Sequence, residues 1–272
     1  MGTLYLVATP IGNLEDISAR ALRILREVRL IAAEDTRVTR KLLTHYQIHT
    51  RQVSYFEHNK LSRLEQILGE LVEGDVALVS DAGTPGLNDP GYELVRAAIQ
   101  AGHPVSTVPG PASPVAALVA SGLPTDAFLY VGYLPRKASD RRVALGRVVD
   151  LPYTLVFLES PHRLIETLND MEDIFGDRPA AIARELTKLH EEIWRGNLSD
   201  ARQHFDHARG EFVLVIAGRQ KSEHKQWTQA RVRAAARKRL ARGEAATVVA
   251  AELAAESGWT RRDIYKLVSG RD

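Results

Sequence analysis

The sequence predicts an α/β fold with a parallel-sheet N-terminal domain, a second α/β domain built on a mixed sheet, and a small helical C-terminal module. Strand patterns alternate with helix patterns through the first half of the chain, the alternation becomes irregular after Pro124, and helix patterns alone follow Trp227. Alternating strands and helices are typical of a parallel sheet that is covered on both faces. Domains are therefore predicted over residues 1–122 and 123–219, with a linker over 220–226 and a basic, helix-turn-helix-like module over 227–272.

Apolar runs and amphipathic segments define the elements of the first domain. Leu4–Ala8 is an apolar run typical of a buried parallel strand. Asn13 is placed to cap the next helix, in which apolar residues recur at helical spacing from Ile17 to Val28. Further strands are expected over residues 30–33, 52–56, 76–80 and 105–108, and further helices over 38–46, 61–73, 92–101 and 114–121.

The second domain and the module show different patterns. Strands are expected over residues 128–134, 154–158, 180–184, 193–195 and 212–217, with helices over 139–149, 161–175 and 199–208. In the module, Gln229–Ala241 is a very basic helix and Ala245–Glu256 is an alanine-rich one. A Ser257-Gly258 turn precedes a third helix, Arg261–Val268, capped by Thr260. Two helices joined by a short glycine turn are typical of a helix-turn-helix.

Composition excludes several classes of chemistry. The 272 residues include 44% apolar and 26% charged residues, an ordinary globular balance, and no cysteine. Disulfides, thiolate zinc sites, iron–sulfur clusters and a cysteine nucleophile are therefore excluded. The N-terminus lacks the basic start and long apolar stretch of a signal peptide, and no apolar run is long enough to span a membrane. We therefore expect a cytoplasmic enzyme without a membrane partner.

Charge is distributed unevenly along the chain. Residues 219–272 carry 13 Lys and Arg against 6 Asp and Glu, a net charge of +7, whereas residues 1–218 carry 23 against 28, a net charge of −5. A basic appendage on an acidic body indicates a polyanionic partner.

Loops rich in glycine, proline and small polar residues follow the strands of the first domain. In an open parallel sheet, ligands bind beyond the carboxyl ends of the strands. Glycine allows backbone to approach a ligand closely, and proline makes a turn rigid. The sequence has neither GxxxxGK[ST] nor GxGxxG after the first strand, which counts against ATP, GTP and dinucleotides. The five loops are TPIGN at 9–13, EDTR at 34–37, EHN at 57–59, the stretch DAGTPGLNDPG at 81–91, and PGPASP at 109–114.

Together these segments resemble the tetrapyrrole-methylase superfamily, and within it the branch that methylates ribosomal RNA. The resemblance extends in order over most of residues 4–216. EDTR, SDAGTP and ARELTK distinguish this branch from its porphyrin-modifying relatives. The matching stretches are LYLVATPIGNLEDI at 4–17, AAEDTRVTRKLL at 32–43, SYFEHN at 54–59, SDAGTPGLNDPG at 80–91, VPGPASPVAAL at 108–118, SGLPTDAFLYVGYLPRK at 121–137, FLESPHRL at 157–164, ARELTKLHEE at 183–192 and GEFVLVI at 210–216.

The resemblance implies a two-domain tetrapyrrole-methylase-like fold that binds S-adenosylmethionine in the cleft between the domains. It implies a homodimer that methylates the ribose 2′-hydroxyl of a cytidine in the decoding region of 16S rRNA, nucleotide 1402, within the small ribosomal subunit. The cofactor-binding residues that it implies are Pro10, Ile11, Gly12, Asn13, Asp81, Ala82, Gly83, Thr84, Pro85, Leu87, Pro111, Ala112, Ser113, Leu158 and Leu186.

Transfer of an already activated methyl group needs no metal ion, so no metal site is predicted. A ribose hydroxyl is a poor nucleophile and gains from a base. The candidate bases are Glu34, Asp35, Glu159, His162 and Glu185, each of which is also compatible with a helix cap or an ion pair. Glu159 and Glu185 are the predicted catalytic residues, because they follow second-domain strands that face the cleft.

Basic clusters are the predicted RNA contacts, because phosphate contacts dominate the affinity of proteins for nucleic acids. A lone basic cluster is more often a solvated surface, but three lie near the expected rim of the cleft. The predicted RNA-binding residues are Arg37, Arg40, Lys41, Arg136, Lys137, Arg141 and Arg163.

The basic C-terminal module admits a sequence-blind RNA clamp, a DNA-reading regulator or a solubilising cap. Its first helix is rich in Arg and Lys, and Arg261, Arg262 and Lys266 lie on the helix that reads DNA in helix-turn-helix proteins. A single short module without an aromatic platform favours the clamp. Two other functions stay open: a tetrapyrrole C-methyltransferase, which needs no basic tail, and a ligand-sensing DNA-binding regulator.

Overall fold

The computed structural model describes residues 1–205, 209–219 and 227–269, which divide into two compact units, 1–218 and 219–272. The linker predicted over 220–226 lies outside the described residues, as do the last residues of the helix predicted over 199–208.

The first sheet of the larger unit is entirely parallel. Its strands are β1 (Leu4–Val7), β2 (Leu30–Ala33), β3 (Gln52–Ser54), β4 (Val76–Val79) and β5 (Val105–Val108), in the order β3-β2-β4-β1-β5. The helices are α1 (Ala19–Glu27), α2 (Thr36–His45), α3 (Lys60–Glu73), α4 (Tyr92–Gln100) and α5 (Ser113–Ser121). β2 and β4 are buried along their whole length, as expected for strands covered on both faces. The predicted parallel sheet is confirmed.

The first helix begins later than the sequence predicted. Asn13 accepts a hydrogen bond from the backbone N–H of Glu15 and caps only a 3-10 turn, Leu14–Asp16. Ser18 then caps α1 by accepting from the N–H of Ala21. Two capping residues five positions apart divide the predicted helix, because each satisfies N–H groups that would otherwise lack partners.

The second sheet is mixed, as predicted. β6 (Phe128–Tyr133), β7 (Thr154–Glu159), β8 (Pro179–Arg184), β9 (Glu192–Asn197) and β10 (Phe212–Ile216) are arranged in the order β6-β7-β10-β8-β9. β6 is parallel to β7, whereas β10 is antiparallel to both β7 and β8. The helices that follow its strands are α6 (Ala138–Gly146), α7 (Leu164–Phe175) and α8 (Leu198–His204).

Two apolar clusters cover the faces of the second sheet. One face packs against α6, α7 and α8 through residues such as Phe157, Leu168 and Leu214. The other packs against α5, whose Ala117 and Leu118 contact the cluster containing Val156 and Val213. Helix α5 therefore follows the last strand of the first sheet but packs on the second, which connects the two sheets.

The smaller unit is a three-helix arrangement within its described residues. Its helices are α9 (Gln229–Leu240), α10 (Ala246–Ser257) and α11 (Arg261–Ser269). Val232, Val249, Leu253 and Ile264 are fully buried and join the three helices. Gly258, with φ +70°, makes the turn between α10 and α11. Among the described residues of the whole chain, no helix is both long enough and apolar enough to cross a bilayer.

Candidate active site

A cavity of about 240 Å³ lies where loops of the first sheet meet strands of the second. Loops after β1, β2, β4 and β5 reach it from one side, and β6, β7, β8 and β10 from the other. Its lining residues are Ile11, Glu34, Asp81, Ala82, Gly83, Thr84, Leu87, Asn88, Asp89, Ala112, Ser113, Pro114, Tyr130, Tyr133, Leu158, Ala183, Leu186, Glu211, Phe212 and Val213.

Hydrogen bonds tie the first-sheet loops to one another. Thr9 and Gly83 exchange two backbone hydrogen bonds, of 2.9 and 3.0 Å. The hydroxyl of Thr84 donates to the carbonyl of Pro111 at 3.2 Å, which connects the loops after β4 and β5. Gly83 has φ +79°, and a Cβ there would lie 3.3 Å from Cγ2 of Ile11. Glycine therefore serves both the left-handed backbone and the close approach of these loops.

Three carboxylates face the cavity from the first-sheet side. The backbone N–H of Asp81 donates to Oε2 of Glu34 at 3.2 Å, and the N–H of Asp35 donates to Oδ1 of Asp81 at 3.0 Å. Burial raises the pKa of both Glu34 and Asp81. Burial, followed by the nearby charge of Glu34, raises the pKa of Asp89 to about 6. The cavity thus combines negative charge with one carboxyl group that titrates close to neutral pH.

The second-sheet side supplies aromatic and apolar walls. The hydroxyl of Tyr130 donates to Oδ1 of Asn88 at 2.6 Å, linking β6 to the loop after β4. Burial raises the pKa of Tyr130 to about 12, so its phenol keeps this donor proton. Gly132 has φ +75°, and a Cβ there would lie 2.6 Å from the same amide oxygen. The strand and the loop therefore approach each other closely, and glycine permits it.

The predicted cofactor residues divide into two groups. The residues that line the cavity are Ile11, Asp81, Ala82, Gly83, Thr84, Leu87, Ala112, Ser113, Leu158 and Leu186. Pro10 instead lines a neighbouring cavity, Pro85 is buried within its loop, and Pro111 contributes the carbonyl that accepts from Thr84.

Gly12 and Asn13 contact the loop after β8. A Cβ on Gly12 would lie 2.4 Å from Cγ of Lys188, and the N–H of Asn13 donates to Oγ1 of Thr187 at 3.1 Å. Both residues therefore brace the first-sheet loops against the second sheet.

The two predicted catalytic glutamates do not line the cavity. Glu159 is buried and accepts from the N–H of Ser160 at 2.8 Å and the hydroxyl of Thr167 at 2.6 Å, with a guanidinium nitrogen of Arg163 at 3.4 Å. Both of its oxygens are engaged.

Glu185, in the left-handed region at φ +50°, is occupied through its Oε1 oxygen. It pairs with Lys188 at 2.9 Å and accepts from the N–H of Glu211 at 3.0 Å. These contacts hold both glutamates in place without turning either toward the cavity.

The predicted RNA-binding residues are exposed, with two exceptions. Arg37, Arg40, Lys41, Arg136 and Lys137 are exposed. Arg163 is mostly buried and donates to the carbonyls of Leu134 and Pro135.

Arg141 requires a correction. Its side chain is 3% exposed and donates to Asp170 at 2.6 Å, where both partners are buried. A guanidinium held inside the fold by a buried carboxylate does not reach an RNA phosphate, so Arg141 belongs to the contact between α6 and α7.

Sequence reasoning missed several lining residues. Tyr130 and Tyr133 lie in β6, for which the sequence predicts no site residue. Asn88 and Asp89 lie in the loop over 81–91, in which the predicted cofactor residues end at Leu87. The Gly-Leu-Asn-Asp-Pro-Gly run was the available signal for Asp89. Ala183, Glu211, Phe212 and Val213 carry no polar loop signature, because they lie in or beside strands.

The smaller unit presents an exposed basic surface. Arg231, Arg233, Arg237, Lys238 and Arg242 are exposed on or just after α9, as are Arg261, Arg262 and Lys266 on α11. The guanidinium of Arg231 stacks over Trp227, 4.1 Å from the ring centroid. Arg239 is the inward-turned exception, because it pairs with Glu252 and Glu256 of α10. At the start of α11, the hydroxyl of Thr260 donates a hydrogen bond to the carboxylate of Asp263 at 2.6 Å.

Comparison with known proteins identifies similar sequences over nearly the full chain. Residues 3–202 match the family model described as Tetrapyrrole (Corrin/Porphyrin) Methylases. A Halalkalibacterium halodurans protein named ribosomal RNA small subunit methyltransferase I is 47% identical over 98% of this chain and 94% of its own length. A Synechocystis protein of the same name is 45% identical over 98% and 97%, respectively. A Thermotoga maritima protein of the same name is 48% identical over 81% of this chain and 100% of its own length.

Solved structures share the fold at low sequence identity. A uroporphyrin-III C-methyltransferase from Thermus thermophilus, complexed with S-adenosylhomocysteine, aligns with a TM-score of 0.56 at 22% identity, over 79% of this chain and 97% of its own. The methyltransferase CobJ aligns with a TM-score of 0.60 at 18% identity, over 80% of this chain and 95% of its own.

Proposed function

We propose a specific reaction for this chain, which belongs to the tetrapyrrole methylase family and, within it, to the ribosomal RNA small subunit methyltransferases I. The chain transfers a methyl group from S-adenosylmethionine to the ribose 2′-oxygen of a cytidine in the decoding region of 16S rRNA. Its substrate is the assembled small ribosomal subunit, its setting is the cytoplasm, and it acts as a homodimer.

The observation that supports this proposal most strongly is the convergence of separate loops on one acidic cavity. Relatives that are 45–47% identical to this chain over 98% of its length carry the name of an rRNA methyltransferase. In this chain, the segments that carry the resemblance lie far apart in sequence, yet Ile11, Asp81, Ala112 and Leu186 line the same cavity. Plain connecting turns would not need to meet in this way.

The cavity residues fit S-adenosylmethionine chemically. A sulfonium and an amino group are cations, and Glu34, Asp81 and Asp89 place carboxylates at the cavity. An adenine ring needs apolar walls, which Leu87, Leu158, Leu186 and Val213 provide. Pockets for small molecules combine apolar walls with a few directed polar groups. We therefore propose that these residues, with the backbone of residues 81–84 and 111–113, hold the cofactor.

The chain's own residues position the reacting groups and manage one proton. When bound, S-adenosylmethionine supplies an activated methyl group on a sulfonium sulfur. We assign proton acceptance from the ribose hydroxyl to Asp89, because it lines the cavity and its raised pKa of about 6 suits a base acting at neutral pH. Glu159 and Glu185 hold the surrounding loops through the contacts described above. The apolar second-sheet wall excludes water from the site.

We propose that RNA contacts two basic surfaces, one on each unit. In the larger unit, Arg37, Arg40 and Lys41 on α2 are exposed beside the cavity loops, and Arg136 and Lys137 are exposed before α6. The smaller unit offers the basic surface of α9 and α11. Because phosphate contacts are insensitive to sequence and weaken with salt, replacing Arg261 and Arg262 by Gln should flatten the salt dependence of subunit binding by about two counterions.

The proposed reaction is tested directly with small ribosomal subunits that lack the modification. The full chain is incubated with these subunits and methyl-labelled S-adenosylmethionine, and the label is mapped by nuclease digestion and mass spectrometry. Label on the ribose of one decoding-region cytidine is the expected result. If calorimetry shows cofactor binding but the rRNA carries no label, the proposed substrate is wrong and a tetrapyrrole substrate is favoured. The absence of both would contradict the reaction and favour a DNA-binding regulator.

A further inference from the structure

A second cavity, of about 200 Å³, adjoins the first. It lies between the loop after β1, helix α2 and the end of β4. Asp81 lines both cavities, so the two spaces share a wall. The residues that line the second cavity are Thr9, Pro10, Leu14, Val38, Thr39, Lys41, Leu42, Ser80 and Asp81.

The hydroxyl of Thr39 is an unpartnered polar group in this lining. Thr39 is only 3% exposed, and its Oγ1 makes no hydrogen bond to any of the described residues. A buried hydroxyl without a partner destabilises a fold, and native proteins rarely keep one without a reason. The arrangement is explained if a ligand atom completes the hydrogen bond.

The other lining residues suit a ligand that is a flat, partly polar ring. Pro10, Leu14, Val38 and Leu42 supply apolar surfaces, whereas Asp81 supplies a carboxylate. Aspartate accepts hydrogen bonds from the exocyclic amine of cytosine, and a threonine hydroxyl serves equally as donor or acceptor. Uracil presents a carbonyl in place of that amine, which a carboxylate does not bind.

The rim of this cavity is basic. Lys41 lines the cavity, and Arg40 is exposed on the same helix, one residue earlier. Arg37 is also exposed, although it is paired with Asp35 at 2.6 Å. Cations at the mouth of an apolar cavity suit a base attached to a phosphodiester backbone.

We propose that the second cavity binds the target cytosine base, rotated out of the RNA stack, while its ribose reaches the first cavity past Asp81. Enzymes that modify a nucleotide commonly extrude it into a pocket that reads its edge. The inference rests on the proposed function and names the substrate subsite that serves it. Thr39 is a positioning and specificity residue here, whereas Asp89 and the cofactor loops carry the reaction.

The test compares Thr39→Val with Thr44→Val in the full-length chain. Both residues lie on α2, but Thr44 is exposed and does not line the cavity. Thr39→Val should raise the KM for unmodified small subunits about tenfold, the effect of one lost hydrogen bond at a binding site, with less change in kcat. It should leave the affinity for S-adenosylmethionine within twofold and keep or raise Tm, because it removes an unpartnered hydroxyl. Thr44→Val should change none of these values.

A second pair of variants tests the cavity as a space. Val38→Phe should fill it and reduce methylation of subunits at least tenfold, whereas Val72→Phe, at an exposed position of α3, should not. Unchanged kinetics in both Thr39→Val and Val38→Phe would overturn the inference alone. An equal loss of cofactor affinity in these variants would also overturn it, by assigning the cavity to the cofactor. Wild-type protein that binds cofactor but never labels a subunit would overturn the proposed function and the inference together.

Discussion

The two sheets of the larger unit line the same cavity, but they differ in the direction of their strands. In the first sheet all strands run in one direction, so the loops after β1, β2, β4 and β5 meet at a single edge. In the second sheet β10 runs against β7 and β8, so Phe212 at the start of β10 pairs with Glu159 and Arg184 at the ends of its neighbours. At the cavity, the mixed sheet therefore presents the ends of β7 and β8 beside the start of β10.

This difference in direction accompanies a difference in chemistry. The first-sheet loops place Glu34, Asp81 and Asp89 at the cavity, together with the left-handed backbone of Gly83. The second sheet contributes tyrosines and aliphatic walls. Its one lining carboxylate, Glu211, pairs with Lys188 at 3.0 Å, and Glu159 is turned into a buried network. We infer that the first sheet carries the chemistry and the second closes and supports the site. Substitutions on each side should therefore change different measured quantities.

The largest effect is expected at Asp89, on the first-sheet side. Asp89→Asn should lower kcat by about 10²- to 10³-fold, because a positioned base contributes at this scale. The affinity for S-adenosylmethionine should change far less. In the wild type, kcat/KM should rise with pH and level off above about pH 6, because this ratio reports the ionisation of the free enzyme and the pKa of its base is raised to about 6. Rates measured from pH 5 to 9 would show this limb, and the variant should lack it.

The pH dependence of the free energy of unfolding tests the pKa of Asp89 independently. The pKa of Asp89 is raised in the folded chain from its usual 3.8, so the folded state binds its proton more tightly than the unfolded state does. The free energy of unfolding should therefore fall as the pH rises from about 4 through about 6. Because burial also raises the pKa of Glu34 and Asp81, Asp89→Asn should make that decrease smaller in urea denaturation without abolishing it. An unaltered pH dependence of both rate and stability would assign the base elsewhere.

The next effect is expected at Gly83, where the first-sheet loops approach each other. Gly83→Val should weaken S-adenosylmethionine binding at least about tenfold, about 1.4 kcal/mol, because valine is strained at φ +79° and its Cβ would lie 3.3 Å from Cγ2 of Ile11. Gly86→Val is a matched control, since Gly86 has φ +82° but open space around its Cβ position. Calorimetry on both variants separates backbone strain from loss of the site. Equal weakening in the two would argue that strain alone is responsible.

The same contrast explains how much of the site the sequence could predict. The alternation of strands and helices predicts a parallel sheet, and the rule that ligands bind beyond strand ends then selects the loops over 9–13, 81–91 and 109–114 without coordinates. Within those loops, the family resemblance selects Ile11, Gly83 and Ala112, which line the cavity. That rule fails for Val213, because only the antiparallel pairing of β10 brings a strand's start to the cavity. It also selected Glu159, at the end of β7. Nothing in the local sequence reveals that Thr167, eight residues later, turns back to bind that carboxylate.

Glu159 should affect stability rather than the pH profile of the reaction. Glu159→Gln replaces one carboxylate oxygen with an amide that faces donors, and it removes the charge beside Arg163. The expected loss is about 1–3 kcal/mol in the free energy of unfolding, the range for a disrupted buried hydrogen-bonded group. Urea denaturation should show a lower midpoint with an unchanged slope. A folded variant of normal stability with a kcat lowered a hundredfold would instead restore Glu159 as the base.

The smallest effect is expected at Tyr130, whose hydroxyl makes one of the hydrogen bonds that connect the two sheets. Tyr130→Phe removes the 2.6 Å bond from β6 to Asn88, in the loop that also carries Asp89. A neutral hydrogen bond contributes about 0.5–1.5 kcal/mol, so S-adenosylmethionine affinity should fall only about 2- to 10-fold. Tyr133→Phe is the control, because Tyr133 lines the same cavity but its hydroxyl makes no hydrogen bond to the described residues. If Tyr130→Phe lowered kcat as much as Asp89→Asn does, the second sheet would be positioning the base itself, and the division of labour between the sheets would fail.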